Sequence, residues 1–143
     1  MIFSLKHDCK MSSKDLSLNL SKKFPKASIF CSDSSQYLVY KDEVDKAIAW
    51  SRWERNFLNL LVPRQYKADE WDCEDYAFCF RSAIRRLYPK FAFGMVFVQI
   101  KNEGKHALNC FIDQFGQFHY IEPQTDKWYD VDISNYEPYL IIV

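Results

Sequence analysis

The stretch HALNCFIDQFGQFHYIEP, residues 106–123, decides the fold that this sequence predicts. Two apolar runs with the alternation of β-strands flank the polar turn DQFGQ, which is typical of a β-hairpin. A type I turn followed by Gly116 in the left-handed conformation gives a loop of about three residues. The sequence therefore predicts that Asp113 pairs with Gln117.

The register of this hairpin determines which side chains share a face, because a slip of one residue reverses every side chain of a strand. Continued from the turn, it sets Leu108 opposite Glu122 and His106 opposite Gln124. Glu122 is then diagonal to His106, about 7 Å away between backbones and within reach of a glutamate side chain. We expect this face to meet the helices, which favours His106 as a base. The structural alternatives are a buried histidine satisfied by a neighbour and a strand carboxylate paired with a lysine.

The rest of the chain divides into a helical half and a run of strands. Apolar residues recur at helical spacing from about residue 42 to Pro63, and again from Cys73 to Pro89. A short helix is predicted within the stretch SSKDLSLNLSKKF, residues 12–24. Extended segments are predicted at residues 27–31, 37–40, 91–100, 106–113, 117–123 and 139–143. This order predicts an α+β domain, with an antiparallel sheet packed against two main helices on one face.

The chain of 143 residues has room for one compact domain. We expect an N-terminal arm of uncertain order over residues 1–23 and a single domain over residues 24–143. Nineteen basic residues balance nineteen acidic residues, which argues against nucleic acid or an anionic membrane as a partner. The apolar stretch at the N-terminus is too short for a secretory signal, and no window approaches the ~20 apolar residues of a membrane span. These features predict a cytoplasmic protein.

Cys73 stands in the stretch EWDCEDYAF, residues 70–78, at the predicted start of the second long helix. The five cysteines are an odd number without a CxxC pair, which argues against a disulfide framework and a structural zinc site. A helix N-terminus and a nearby imidazolium lower the pKa of a thiol and make it a nucleophile, whereas the adjacent acids oppose this. The alternatives are a buried, inert thiol and a zinc site formed with His106 and a carboxylate.

The segments WDCEDYAF, HALNCF and IEPQTD occur in the order nucleophile, base and orienter. In this order they resemble the papain-like and transglutaminase-like cysteine hydrolase superfamily. The resemblance is strongest to the protease domain at the C-terminus of a mushroom agglutinin and to related phage-type proteins, and it covers about residues 70–126. It implies a papain-like/transglutaminase-like core with Cys73 as nucleophile, His106 as base and Glu122 as acidic orienter. The sugar-binding repeats of the agglutinin are absent from this sequence, so no lectin activity follows from the resemblance.

The main functional hypothesis is thiol-dependent acyl chemistry on a peptide or amide bond. Cys73 attacks the carbonyl, His106 shuttles the proton, and Glu122 fixes the imidazole tautomer. Water as acceptor gives hydrolysis and an amine gives transamidation; both stay open. The expected supporting residues are an oxyanion-stabilising Gln65, the rival orienter Gln124 and the cleft residue Trp71.

No cofactor is required by this mechanism. Some members of the agglutinin group are activated by calcium or another divalent cation, which implies a second role for the acidic residues Glu74, Asp75 and Asp126. No EF-hand spacing is present in the sequence. The alternative function is a catalytically silent protein-binding module on the same fold, because a fold does not guarantee chemistry.

Overall fold

The computed structural model describes residues 9–61, 67 and 72–143, with backbone alone for residues 58–61. The α-helices of these residues are α1 (Ser13–Lys23), α2 (Val44–Leu61) and α3 (Cys73–Leu87), and a short 3-10 helix, Lys41–Glu43, leads into α2. The strands are β1 (Lys10–Ser12), β2 (Ser28–Phe30), β3 (Ser35–Tyr37), β4 (Phe93–Ile100), β5 (Gly104–Ile112), β6 (Phe118–Ile121) and β7 (Tyr136–Ile142). None of the described helices has the length and apolar character needed to cross a membrane.

The strands form a five-stranded sheet in the order β2-β7-β4-β5-β6 and a separate two-stranded sheet of β1 and β3. Neighbours in the large sheet are antiparallel except β2, which runs parallel to β7. The α+β class is therefore confirmed, whereas the prediction of a purely antiparallel sheet is corrected to a mixed one. Local alternation does not reveal a pair such as Ser28 with Leu140, whose members lie at opposite ends of the chain.

The central hairpin has the register that the sequence predicts. The Asp113 N–H donates to the Gln117 carbonyl at 2.9 Å, and Gly116 has a φ of 77°. Cys110 lies opposite Tyr120 on the neighbouring strand. The left-handed glycine thus fixes which side chains of β5 and β6 share a face.

One face of the large sheet packs against α1. Leu108, Cys110 and Ile112 of β5 lie in the same core cluster as Leu16 and Leu20 of α1. The expectation that this face of β5 meets the two long helices is therefore wrong. The physical reason is that α1, within the predicted N-terminal arm, buries an apolar face of its own. The division of the chain into an arm and one domain stays a prediction.

The opposite face of the sheet packs against α2 and α3. Phe93 of β4 and Phe111 of β5 share a cluster with Ile48 of α2 and with Phe80 and Ile84 of α3. The prediction that the two long helices cover one common face is thus confirmed. The domain has three layers, with the sheet between α1 and the α2–α3 pair.

Helix α3 begins at Cys73 because a capping box satisfies the free N–H groups of its first turn. The Asp72 carboxylate accepts from the Glu74 N–H, and the Asp75 carboxylate accepts from the Asp72 N–H at 3.1 Å. Acidic residues in the first turn and Arg85 and Arg86 in the last turn complement the helix dipole.

Asn109 ties α3 to the sheet. Its fully buried side-chain amide donates to the Ala77 carbonyl of α3 at 2.9 Å and to the Gly94 carbonyl of β4 at 3.0 Å. The Asn109 side chain therefore joins β5 to β4 and to α3, the helix that begins at Cys73.

Replacing Asn109 should loosen this junction. We expect Asn109→Leu to lower the free energy of unfolding by about 1–3 kcal/mol, because two buried carbonyls lose a donor. The measurement is urea unfolding, with Asn56→Leu on the exposed surface of α2 as the matched control. Equal stability of the two variants would contradict the tethering role of Asn109.

Candidate functional site

His106 and Glu122 form a hydrogen-bonded pair at the end of the hairpin. The His106 Nε2 atom lies 2.9 Å from Glu122 Oε2, and the two side chains are 20% and 24% exposed. Because an ionised carboxylate only accepts, the imidazole donates from Nε2, which leaves Nδ1 of the neutral ring as an acceptor. Glu122 Oε1 also accepts from the main-chain N–H of Gln124 at 3.1 Å. Gln124 therefore holds the carboxylate in place by its backbone.

Cys73 reaches the same strand from the N-terminus of α3. Its half-buried thiol accepts a hydrogen bond from the main-chain N–H of Ala107, the residue that follows His106. Its side chain also packs against the cluster of Ala77, Met95 and Ala107. Of the hydrogen bonds that the structure describes, none joins the thiol to the imidazole. Cys73 therefore contacts β5 at Ala107, the residue next to His106 in the chain.

The surroundings of Cys73 disfavour its thiolate. Burial raises the pKa of the thiol, and the negative charges of Asp72 and Glu74 raise it further. The N–H of Ala107 acts in the opposite direction without cancelling these effects. Burial first, and the charges of Asp72 and Glu74 second, therefore favour the protonated thiol.

The resemblance implies three acidic residues as ligands of a cation, Glu74, Asp75 and Asp126. In the structure Asp75 and Asp126 bind other groups of the protein, and the three residues do not form one cluster. Asp75 accepts the hydrogen bond of the capping box. Asp126 pairs with Arg52 at 2.7 Å and with Arg55 at 2.8 Å, so it faces two guanidinium groups. Within the described ranges, no group of three or more His, Cys, Asp or Glu side chains is placed to hold a metal ion. Glu74 lies exposed in the first turn of α3, and a divalent cation stays a prediction of the resemblance alone.

The expected roles of Gln65 and Trp71 fall on residues that lie outside the described ranges. The oxyanion-stabilising and cleft-lining functions assigned to them therefore stay predictions.

A second histidine–carboxylate pair, which the sequence analysis missed, supports the hairpin. His119 Nε2 lies 2.7 Å from Asp113 Oδ2, and its ring stacks on Phe111 and meets the edge of Trp128. Burial opposes ionisation of Asp113, but hydrogen bonds from His119 and from two main-chain N–H groups outweigh it and lower the pKa of the carboxyl. The residue in the sequence that could have indicated this pair is Asp113, the aspartate at the start of the turn. This pair holds the turn and lies on the odd-numbered face of β5.

An open cavity of about 530 Å³ lies where the β4–β5 turn meets the segment before β7. Its polar walls include Lys101, Asn102, Ser134, Asn135, Tyr136 and Glu137. From the sequence, both segments are predicted to be connections between strands. The missed signal was the number of amide and hydroxyl side chains in these two connections.

Trp53 and Phe57 form a stacked aromatic pair on the outer side of α2. Their ring centroids are 6.0 Å apart with an interplanar angle of 11°, and the side chains are 74% and 51% exposed. The helical pattern places both residues in the predicted apolar stripe, whereas the structure leaves them at the surface.

Two of the solved structures that match the chain share its fold over nearly its whole length. One is a PSL1a–E64 complex, with a TM-score of 0.71, 18% identity, and coverage of 96% of this chain and 52% of that chain. The other is Polyporus squamosus lectin bound to the human-type influenza-binding epitope Neu5Acα2-6Galβ1-4GlcNAc, with a TM-score of 0.70, 16% identity, and coverage of 96% and 50%. The chain thus spans about half the length of each neighbour, and the likeness is one of fold. No family model and no curated protein matches the chain.

These comparisons correct the identification of the chain as a papain-like or transglutaminase-like cysteine hydrolase. One of the matched structures is a lectin bound to a sialylated glycan, and no family model of a cysteine hydrolase matches the chain, so the assignments hydrolase, thiol protease, catalytic triad and phage-type protein are withdrawn with it. A peptide substrate loses its support for the same reason. What the structure shows is an α+β fold with a mixed sheet. The individual roles assigned to Cys73, His106 and Glu122 stay predictions.

The effect of the acidic cap on Cys73 is measurable. Because the Glu74 charge raises the pKa of this thiol, Glu74→Gln should increase the rate of alkylation of Cys73 by iodoacetamide at pH 7 by about two- to fivefold. The measurement is the rate for each cysteine against pH, followed by mass spectrometry of the peptides.

Cys79 is the internal control for this substitution. It is exposed on the same helix, and the charges that act on the pKa of its thiol come from Asp75 and Arg55. Its rate should not change in Glu74→Gln. An unchanged rate at Cys73, or an equal increase at both cysteines, would contradict the electrostatic account of the helix start.

Proposed function

We propose that the chain is a binding module whose ligand is a glycan. The observation that carries this proposal is the fold shared with a lectin over 96% of the chain, at TM-scores of 0.71 and 0.70. One of these lectin structures is bound to a sialylated trisaccharide. The proposal extends ligand binding, but not the identity of that ligand, to this chain.

The environment of Cys73 supports binding without covalent chemistry. A nucleophilic thiol must be a thiolate, and here burial and two neighbouring carboxylates raise its pKa. His106 is held by Glu122, so the pair presents a fixed polar group at the surface of the hairpin. Such groups can donate hydrogen bonds to a ligand, and accept them from it, without cleaving a covalent bond of the ligand.

A protein partner is the second candidate, favoured by the exposed Trp53–Phe57 pair. Tryptophan is enriched among the residues that dominate binding energy at protein interfaces. Helix α2 is fixed near this pair by the ion pairs of Arg52 and Arg55 with Asp126. The aromatic surface is thus presented on a supported helix.

The test is a glycan array probed with the labelled chain, followed by calorimetric titration of the best-bound saccharide. We expect saturable binding with a Kd of about 1 μM to 1 mM, the range in which free energies of about −8 to −4 kcal/mol fall. Trp53→Ser is the matched variant that separates the two candidates, and it should leave glycan binding unchanged.

The absence of any saturable saccharide signal would contradict the glycan proposal. Loss of the glycan signal in Trp53→Ser, while the variant keeps the unfolding midpoint of the parent chain, would instead place the glycan surface on the aromatic pair and contradict the assignment of that pair to a protein partner.

A further inference from the structure

The cavity beside the β4–β5 turn is built by main-chain hydrogen bonds. The Lys101 N–H donates to the Asn135 carbonyl at 3.1 Å, which joins its two walls. The Tyr136 N–H donates to the Ile133 carbonyl at 3.1 Å, and Ile100 pairs with Tyr136 in the sheet. The walls are therefore held in place without a ligand.

The turn that forms one wall has a defined conformation. Asn102 has a φ of 66° and Gly104 a φ of 109°, both in the region that favours glycine or asparagine. Asparagine at this position supplies an amide side chain to the cavity at a small conformational cost. Glycine also adopts this backbone conformation, so Asn102→Gly removes the amide side chain without straining the turn.

The chemistry of the walls matches a ligand rich in hydroxyl groups. The amides of Asn102 and Asn135 each donate and accept hydrogen bonds, as sugar hydroxyls also do. Tyr136 adds a half-buried aromatic ring, fixed edge-on against Tyr120 at 5.8 Å between centroids. Burial, and the charges of Glu122, Glu103 and Asp132, raise the pKa of the Tyr136 phenol, so its hydroxyl stays a donor.

The charges around the cavity disfavour a small anion or a metal ion as its ligand. Glu137 forms an ion pair with Lys26, which leaves its carboxylate engaged. Lys101 is a single lysine on the opposite wall, without the cluster of cations that phosphate sites use. The volume of about 530 Å³ falls in the range of small-molecule sites.

We infer that this cavity is the saccharide site of the chain, with the side chains of Asn102, Asn135 and Tyr136 as the groups that contact one or two sugar rings. The inference rests on the proposed glycan-binding function and gives that function a location. It places the site at the β4–β5 turn and the start of β7, whereas the thiol of Cys73 contacts Ala107 within β5.

The experiment is a titration of the ¹⁵N-labelled chain with the soluble saccharide that the array selects, followed by two-dimensional NMR. We expect saturable shifts concentrated in the main-chain amides of residues 99–102 and 134–137. Saturable shifts confined to other residues would overturn the location and leave glycan binding intact. Absence of shifts with every array saccharide would overturn the proposed function itself.

Two variants test the contacts. Asn102→Gly keeps the left-handed turn and removes the amide, and Asn135→Ala removes the facing amide. Each should weaken saccharide binding by about tenfold, the effect of losing a hydrogen bond or two. Asn56→Ala on α2 is the control and should bind as the parent does. Unchanged affinity in both cavity variants, with unfolding midpoints equal to that of the parent, would contradict the assignment.

Discussion

The buried amide of Asn109 is the contact on which the arrangement of the domain depends. It stands on β5 and donates to carbonyls of α3 and β4, so it fixes the helix against the sheet. Gly94, on β4, meets this amide and also allows β7 to approach closely: a Cβ at Gly94 would lie 2.0 Å from the Ile142 carbonyl oxygen. Because α3 is fixed in this way, its first residue, Cys73, lies against Ala107. The position of the thiol follows from this junction.

Much of the fold could be predicted from short stretches of the sequence. Pro89 and the acidic residues before Cys73 delimit α3, and Gly116 fixes the register that joins His106 to Glu122. Features that depend on distant contacts were not accessible in the same way. The parallel pairing of β2 with β7 and the burial of α1 on the His106 side of the sheet join segments from opposite ends of the chain.

Strand β7 shows how a local signal misleads. The predicted strand starts at residue 139, after Pro138, whereas the structure starts it at Tyr136. The pairing with β4 shifts register between Phe97 and Val98, and Pro138 lies opposite Val98 at this irregularity. Proline lacks an N–H group and is tolerated at such bulges. The same early residues of β7 line the polar cavity, so the misplaced boundary also concealed a candidate site.

The functional hypothesis shows the difference between a constellation of residues and a function. The sequence predicts a constellation of a helix-start cysteine, a strand histidine and a carboxylate, of which the structure joins the histidine and the carboxylate by a hydrogen bond. The fold that carries them is shared with a lectin. In this region burial, together with the charges of Asp72 and Glu74, raises the pKa of the thiol, which favours a role in binding or packing. The amide side chains at the β4–β5 turn form a second polar surface, apart from the His106–Glu122 pair.

The most direct test of binding without turnover is a mass-spectrometric time course of the chain with a peptide library and with a saturating saccharide ligand. The account predicts that peptides and saccharide keep their masses while the saccharide stays bound. New peptide ends or saccharide fragments that appear with the parent chain and not with Cys73→Ala would contradict it.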